Sequence, residues 1–472
     1  MAYPTASQIT DMTNVSLGNL AQILFSKGFT SQMNRTFRDY ESVLVNMKTG
    51  SATTERSYQY LLLTALGANS VQWQSQGTSN VAFPSGDVGT TQEVTALMKK
   101  IQATIEIDLN MWNRVRAAQA KYVDNPLALE IQSKLDVVKR EQAKALYGDG
   151  TGVLGVIASS SAVSGKAVVV LSTADTAVGG GNTNWFEIGQ IIAFCDKDGV
   201  AVPLSNQGTV VQFRVVSTAR KTNTLVLEGQ TIAGAVVSVT DITGLAAGVF
   251  AYPKSVLQAT TLIGPDRDTS IDFGTVTPVM AGLESLAATD GRSVFGVTMS
   301  GQLGGSQFDH GGAIFDVSAI EESMNETEQN VGYGKYKYDN LIMPYNAYSA
   351  LLEGKEADRR FNSVEDSTRG GRKFIYQYGD QSLDCIKSYF CPFNRIYSLP
   401  KPCQGEMGES GYALELRGVE FRDVMLGANK EFLKVNSSGQ YVNMLQSFLE
   451  GWSVLIAKQP AAINMIRNFK MV

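Results

Sequence analysis

The chain has 472 residues, 44% hydrophobic and 18% charged, with 40 Lys and Arg against 45 Asp and Glu for a net charge of −5. That length predicts two or three lobes rather than one core, and that composition excludes extensive disorder. The slight acidity excludes a general attraction to phosphate, although a container that only encloses nucleic acid needs no such grip.

Residues Met1 to Gln8 lack the basic segment and apolar core of a secretory signal. Nor does an apolar run of about eighteen residues occur, so neither export nor membrane insertion is expected. Cys195, Cys385, Cys391 and Cys403 are too sparse for a disulfide framework and lack the close pairs of a structural zinc site. Free thiols in a reducing compartment are the expectation.

In chain order, the first sixty residues show few signs of an independent core and read as an arm that docks elsewhere, with a helix around Gln32 to Met47. From Ala68 to Gly89 the composition turns to Gln, Ser, Gly and Thr with spaced Val71, Trp73, Val81 and Phe83. Ile101, Ala103, Ile105, Ile107 and Leu109 then alternate with polar neighbours, a period of two that predicts a long strand and, with the preceding stretch, an extended hairpin. A long helix follows. Asn125 caps its start, Pro126 suits its first turn, and Leu127, Ile131, Leu135, Val138, Ala145 and Leu146 recur at helical spacing until Gly148 and Gly150. Lys134, Lys139, Arg140, Glu141 and Lys144 are expected on its wet face.

Between about Ser160 and Tyr252 the chain becomes valine-dense and poor in charge, with apolar runs at Val168–Leu171, Ile188–Phe194, Val210–Val216 and Thr224–Leu227. Turns are predicted at Asp196–Gly199 and Arg220–Asn223, so the block reads as a small all-β insertion, with limited contacts elsewhere. Beyond Pro265 helices are expected over Val317–Glu328 and Tyr345–Glu353, the second after an apolar strand Leu341–Met343. Residues Glu353–Lys373 have the composition of a mobile loop. Strands are expected at Ile386–Phe390 and Tyr412–Leu416, and the chain closes with the apolar run Trp452–Ala457 before Pro460.

The chemistry signals are sparse. Gly150, Gly152 and Gly155 match the spacing of a dinucleotide-binding loop, but they end a helix instead of following a strand, so a helix stop and tight corner is the preferred reading. His310, the single histidine, sits among Gly304, Gly305, Gly311 and Gly312 with no nucleophile elbow and reads as an exposed loop residue. Asp196, Asp198 and Gly199 supply only a fragment of a calcium loop, and the pairs Glu321/Glu322 and Glu353/Glu356 read as solvated helix faces. Cys385, Cys391 and Cys403, spaced by six and twelve residues, read as buried thiols rather than metal ligands.

The segment Leu135 to Ile157, KREQAKALYGDGTGVLGVI in its later part, resembles the end of the spine helix and the glycine turn of tailed-bacteriophage major capsid proteins of the HK97 fold. Leu341 to Leu352, LIMPYNAYSALL, is similar to the strand-then-helix unit of that family's axial domain, and Phe448 to Ile466 to the last strand of its peripheral domain. The resemblance implies an α+β fold with an N-terminal arm at 1–66, an E-loop hairpin at 67–110, and a peripheral domain with spine helix at 111–159. It further implies an inserted β-rich domain at 160–252, a return to the peripheral domain at 253–315, an axial domain at 316–440 and a closing strand at 441–472.

The implied function is structural and not enzymatic: a subunit of hexamers and pentamers in an icosahedral or prolate shell around double-stranded DNA, assembled in the host cytoplasm and residing in the virion. No residue is assigned a catalytic, cofactor-binding or metal role, and no crosslink is predicted. Implied partners are a scaffolding protein, a portal protein, a decoration protein and the packaged DNA through non-specific contact, with no membrane. The β-rich block departs from the minimal fold, and the arm is too short for a built-in scaffold. Two alternatives stand: an encapsulin-like shell around a protein cargo, and a hydrolase or carbohydrate-binding protein whose β block is a binding module.

Overall fold

The computed structural model describes residues 48–49, 57–65, 90–108, 126–174, 178–195, 212–231, 234–239, 242, 244–253, 272–332, 338–353, 361–366, 371–379, 381–400, 414–423, 433–435, 441–457 and 459–470. The expected helix at Gln32–Met47, the Asp196–Gly199 turn, Cys403 and the expected cap Asn125 lie outside them.

Strands β2 (Ser57–Ala65) and β3 (Thr90–Leu97) form a two-stranded antiparallel ribbon, with Ser57 opposite Leu97 and Ala65 opposite Thr90. The predicted hairpin is thus built differently from the expectation, its first arm lying upstream of Ala68. The alternating run expected as its second arm is a separate strand, β4 (Lys99–Asp108), which pairs with β23 (Tyr441–Ala457) from Lys99–Ser453 to Asp108–Met444. Met98, 5% exposed, is the break where the chain leaves one sheet for the other. A 17-residue strand with both edges open offers more ladder than a hairpin arm does. Its other edge takes β21 (Leu414–Asp423) and β22 (Leu433–Val435), and β1 (Lys48–Thr49) adds in parallel to β21.

Helix α1 runs from Pro126 to Tyr147, 22 residues and about 33 Å at 1.5 Å per residue. Val138, Ala143, Leu146 and Tyr147 are buried along it. Lys144, expected on the wet face, is enclosed as well, because Glu141 at 2.8 Å and Glu187 at 3.6 Å neutralise its ammonium.

The valine-rich block starts five residues earlier than expected. Strands β5 (Gly155–Val163), β6 (Lys166–Leu171), β7 (Ile191–Cys195), β8 (Gln212–Ala219), β9 (Thr224–Gln230) and β11 (Phe250–Pro253) pair antiparallel in the order β9-β6-β5-β11-β7-β8. Pairing of β8 with β9 then closes the ring, and β10 (Val236–Val237) attaches beside β9. Closure pairs β8 with β9 where an open sheet would leave two edges, and inward residues Ile157, Val169, Leu171, Phe194, Phe213, Val215, Leu225 and Leu227 share one core cluster. Turn 220–223 joins β8 to β9 where expected, with Asn223 at φ 50°.

Strands β12 (Asp272–Phe273), β13 (Ser293–Val294) and β14 (Val297–Thr298), with the one-turn helix α2 (Leu283–Leu286), make a small unit beneath the ribbon. The remaining sheet has the order β15-β24-β20-β16-β19-β18-β17, with β15 Ser306–Asp309, β16 Tyr338–Pro344, β17 Phe361–Asp366, β18 Gly371–Tyr378, β19 Gln381–Ser388, β20 Arg395–Pro400 and β24 Asn464–Arg467. Helices α3 (Val317–Val331) and α4 (Tyr345–Glu353) pack on it. Asp316 caps α3 by accepting from the Ala319 N–H at 3.1 Å.

Two further expectations are corrected. The stretch expected as a mobile loop contains β17 and the start of β18, which pair antiparallel, and the acidic Glu365 and Asp366 on the edge strand β17 guard it from further pairing. The closing segment is not one strand but two in different sheets, because Pro460 turns the chain between β23 and β24.

Candidate assembly surface

Among the described residues, strand β3 of the ribbon is anchored through one face. Val94 and Ala96 are fully buried and Met98 nearly so, and they join the main core with Ala143, Leu146 and Val454. Gln92 Nε2 donates to Gly296 O at 3.1 Å, and Lys99 Nζ to Thr275 O at 2.9 Å, which fixes the ribbon to the unit below. On the other face Thr91, Glu93, Thr95 and Leu97 are all exposed, Leu97 at 37%, with Val276 at 56% beside the Lys99 anchor. A polar residue on a bare face is ordinary; four successive outward positions of one strand, left uncovered by the described residues, are not.

Helix α2 meets strand β20 at a buried polar junction. Arg395, 2% exposed, forks onto Glu284 of α2, with Nε to Oε2 at 3.0 Å and a terminal nitrogen to Oε1 at 3.0 Å. Tyr397 donates its hydroxyl to the same carboxylate at 3.1 Å, and burial followed by the Glu284 charge pushes its phenol well above the usual range.

A second contact seats the barrel. Between β6 and β7 the chain dips as a wedge against residues 389–394. Asn182 Nδ2 donates to Cys391 O at 2.9 Å, Asn184 Nδ2 to Tyr389 O at 3.1 Å and Trp185 Nε1 to Phe390 O at 2.7 Å. Gly180, at φ 54°, leaves no room for a Cβ against Asn394. Arg140 of α1 also reaches Glu187 at 2.8 Å. The limited contact expected of the block is therefore corrected: Trp185 and Phe186 share one core cluster with Phe390, Cys391 and Tyr397.

The glycine motif forms the corner that ends α1, with Gly150 at φ 92° and Gly152 at φ 79° before β5 begins at Gly155. His310 lies half-buried in a loop with Nε2 3.0 Å from Ile314 O. Glu321 accepts from the Tyr376 hydroxyl at 3.0 Å, so it braces α3 on the sheet rather than serving as a free face. Among the described residues no group of three or more His, Cys, Asp or Glu is placed to hold a metal ion, and no helix is long and apolar enough to cross a membrane. Cys195, Cys385 and Cys391 are buried free thiols. Thiol titration of the denatured, non-reduced protein is expected to count all four cysteines of the sequence as free; a stoichiometric disulfide would refute this.

Sequence reasoning missed the Glu284–Arg395–Tyr397 junction, Asp149 and the wedge. A signal for the last was present in Gly179-Gly-Gly-Asn-Thr-Asn-Trp185, three glycines and an aromatic interrupting a valine-rich block.

No protein-family model and no curated protein matches the chain. Among solved structures it is similar to the capsid asymmetric unit of cyanophage A-1(L), at 9% identity and TM-score 0.49 over 98% of this chain and 99% of that one. It is also similar to the holo-SrpI encapsulin complex from Synechococcus elongatus, at 8% identity and TM-score 0.39 over 100% and 97% of the two chains. A third similarity is to the capsid of a native GTA particle, at 10% identity and TM-score 0.40 over 99% and 100%. At such identities no residue role passes from these proteins to this chain.

Proposed function

We propose that this chain is a structural shell subunit, a major capsid protein of the HK97 fold, and that it acts by binding copies of itself rather than by catalysis. The observation that carries this reading is the ribbon β2–β3, held by one face and bare on the other along the described length of β3. Ordering such a ribbon costs backbone entropy of about 1–2 kcal/mol per residue, and one packed face recovers only part of it. Lying across a neighbouring subunit supplies the missing burial, so ribbon and shell stabilise each other. Closed rings of five and six copies accommodate such a contact repeated from each subunit to the next.

In this reading α1 is the spine, the β15–β24 sheet with α3 and α4 is the axial lobe, and the β4–β23–β21 sheet belongs to the peripheral lobe. The barrel is an accessory domain. Scaffolding, portal and decoration proteins are the further partners, the enclosed DNA is held without base-specific contact, and assembly takes place in the host cytoplasm before the subunit resides in the virion.

Replacing residues 67–88 with Asn-Gly should leave a folded subunit that no longer forms shells. The cut spares Val94 and Ala96, which a deletion reaching residue 95 would partly tear from the core. Reversing the bare face with Glu93→Arg and Leu97→Glu should act in the same direction. Particles of normal size in micrographs and sedimentation of both variants would sink the proposal. Extraction of purified particles would separate a nucleic-acid cargo from a protein one.

A further inference from the structure

Strand β5 is paired along the whole of one edge and only the start of the other. On one side β6 runs beside it from Ile157–Leu171 to Val163–Lys166, whereas on the other β11 pairs with Gly155 and Val156 alone. Two bonds carry that second contact one residue further, from Ile157 N–H to Val249 O and from Gly248 N–H to Ile157 O, both at 2.9 Å. Beyond them no strand among the described residues lies along this side of β5, and Ala158, Ser159, Ser161, Ala162 and Val163 are exposed, Val163 at 53%.

The register fixes which backbone groups face the gap. A two-residue turn joins β5 to β6, with Ser164 at φ 51° and Gly165 at φ 74°, and in such a turn the flanking residues, here Val163 and Lys166, bond each other. Bonded and non-bonded pairs alternate along an antiparallel ladder, so Ser161, opposite Val168, also turns its N–H and C=O to β6. Ser160 and Ala162, opposite Val169 and Ala167, turn theirs to the open side. The bulge lies between Ile157 and Ser159 and leaves this stretch regular.

A bare edge is normally guarded by charge, proline or a bulge. Both outer strands of the β15–β17 sheet obey the rule, since β17 ends in Glu365 and Asp366 and β15 in Asp309. The open part of β5 does not. From Gly155 to Gly165 the sequence GVIASSSAVSG holds neither a charge nor a proline.

We propose that the open edge of β5 docks on the same edge of a second copy of this chain, the two strands pairing antiparallel about a two-fold axis at Ser161. Ser160 of one copy then lies opposite Ala162 of the other, and the reverse, so the backbone groups that face the gap close four hydrogen bonds. Ser161 meets its own counterpart and Ser159 meets Val163, side chains that are small and uncharged. Neutrality is what lets like meet like, because an ionisable residue on the axis would face its own charge. The edge offers a different protein no charge or large side chain to read, whereas an identical edge matches it in length, size and neutrality. Four main-chain bonds form a weak contact by themselves, so the pairing rests on the shell reading for the high local concentration of copies that populates it.

The test is Ser161→Cys in the full-length chain. Across the axis the two Cα atoms stand about 4.5 Å apart, within reach of a disulfide. Mild oxidation of particles, or of concentrated subunit where no particles form, should give a dimer on a non-reducing gel that the wild type, whose described cysteines are buried, does not give. Particles without that dimer overturn the pairing and leave the shell reading standing; a dimer without particles does the reverse. A crosslink to some other protein also overturns the proposal. As a second readout, Ser161→Lys and Ser161→Glu should each weaken association of the subunit by about two- to fivefold, and their equimolar mixture should restore it. Equal association of both variants, their mixture and the wild type in sedimentation overturns the pairing as well.

Discussion

Replacing Trp185 with alanine is expected to destabilise the folded chain by about 3–5 kcal/mol, the range for an aromatic side chain removed from a core. Trp185 is 2% exposed and is among the largest fully enclosed side chains of the described residues. Its indole plugs the wedge between the barrel and the 389–394 turn, and its N–H satisfies the Phe390 carbonyl at 2.7 Å. Truncation would leave both a void and an unpaired buried carbonyl, two penalties with separate origins. Trp185→Phe separates them, since it keeps most of the volume and loses the bond, and should cost about 1–3 kcal/mol. Denaturant unfolding followed by circular dichroism measures both variants. A loss below about 1 kcal/mol for the alanine variant would mean that the barrel is seated by other contacts than this wedge.

The parts of the fold legible in the sequence are those fixed by local chemistry. Helix α3 begins where expected because Asp316 caps it, and α4 follows Pro344 because the residue before a proline favours extended backbone and the ring suits what comes next. The valine-dense strands of the barrel and the 220–223 turn also announced themselves, through β-branched alternation and turn residues.

What stayed hidden depends on partners far along the chain. The strand β4 has an unmistakable period of two, yet nothing in it says that its neighbour is β23, more than three hundred residues away, instead of the segment just before it. Closure of the barrel needs β8 to meet both β7 and β9, which neither run specifies alone. Lys144 looked solvent-bound on a helical wheel because Glu187 comes from the next lobe. The same limit applied to Asp149, which reads as a turn residue between two glycines until segment 279–285 closes over it.

Exchanging Arg395 for methionine is expected to cost about 3–5 kcal/mol, the penalty for removing one partner of a buried ion pair. Glu284 and Arg395 are 111 residues apart in sequence, and their contact joins α2 to the central sheet. Without the guanidinium, Glu284 loses the fork that neutralises its charge, and a carboxylate in so enclosed a place stays charged only at high cost. Adding Glu284→Gln to Arg395→Met should therefore recover at least about 1 kcal/mol, because the amide removes the stranded charge while still accepting from Tyr397. The double variant then melts above the single one, although it lacks both charges. If the two losses simply add, the pair is not coupled, and the junction is held by packing of Tyr147 on Tyr397, ring centroids 5.8 Å apart, rather than by charge.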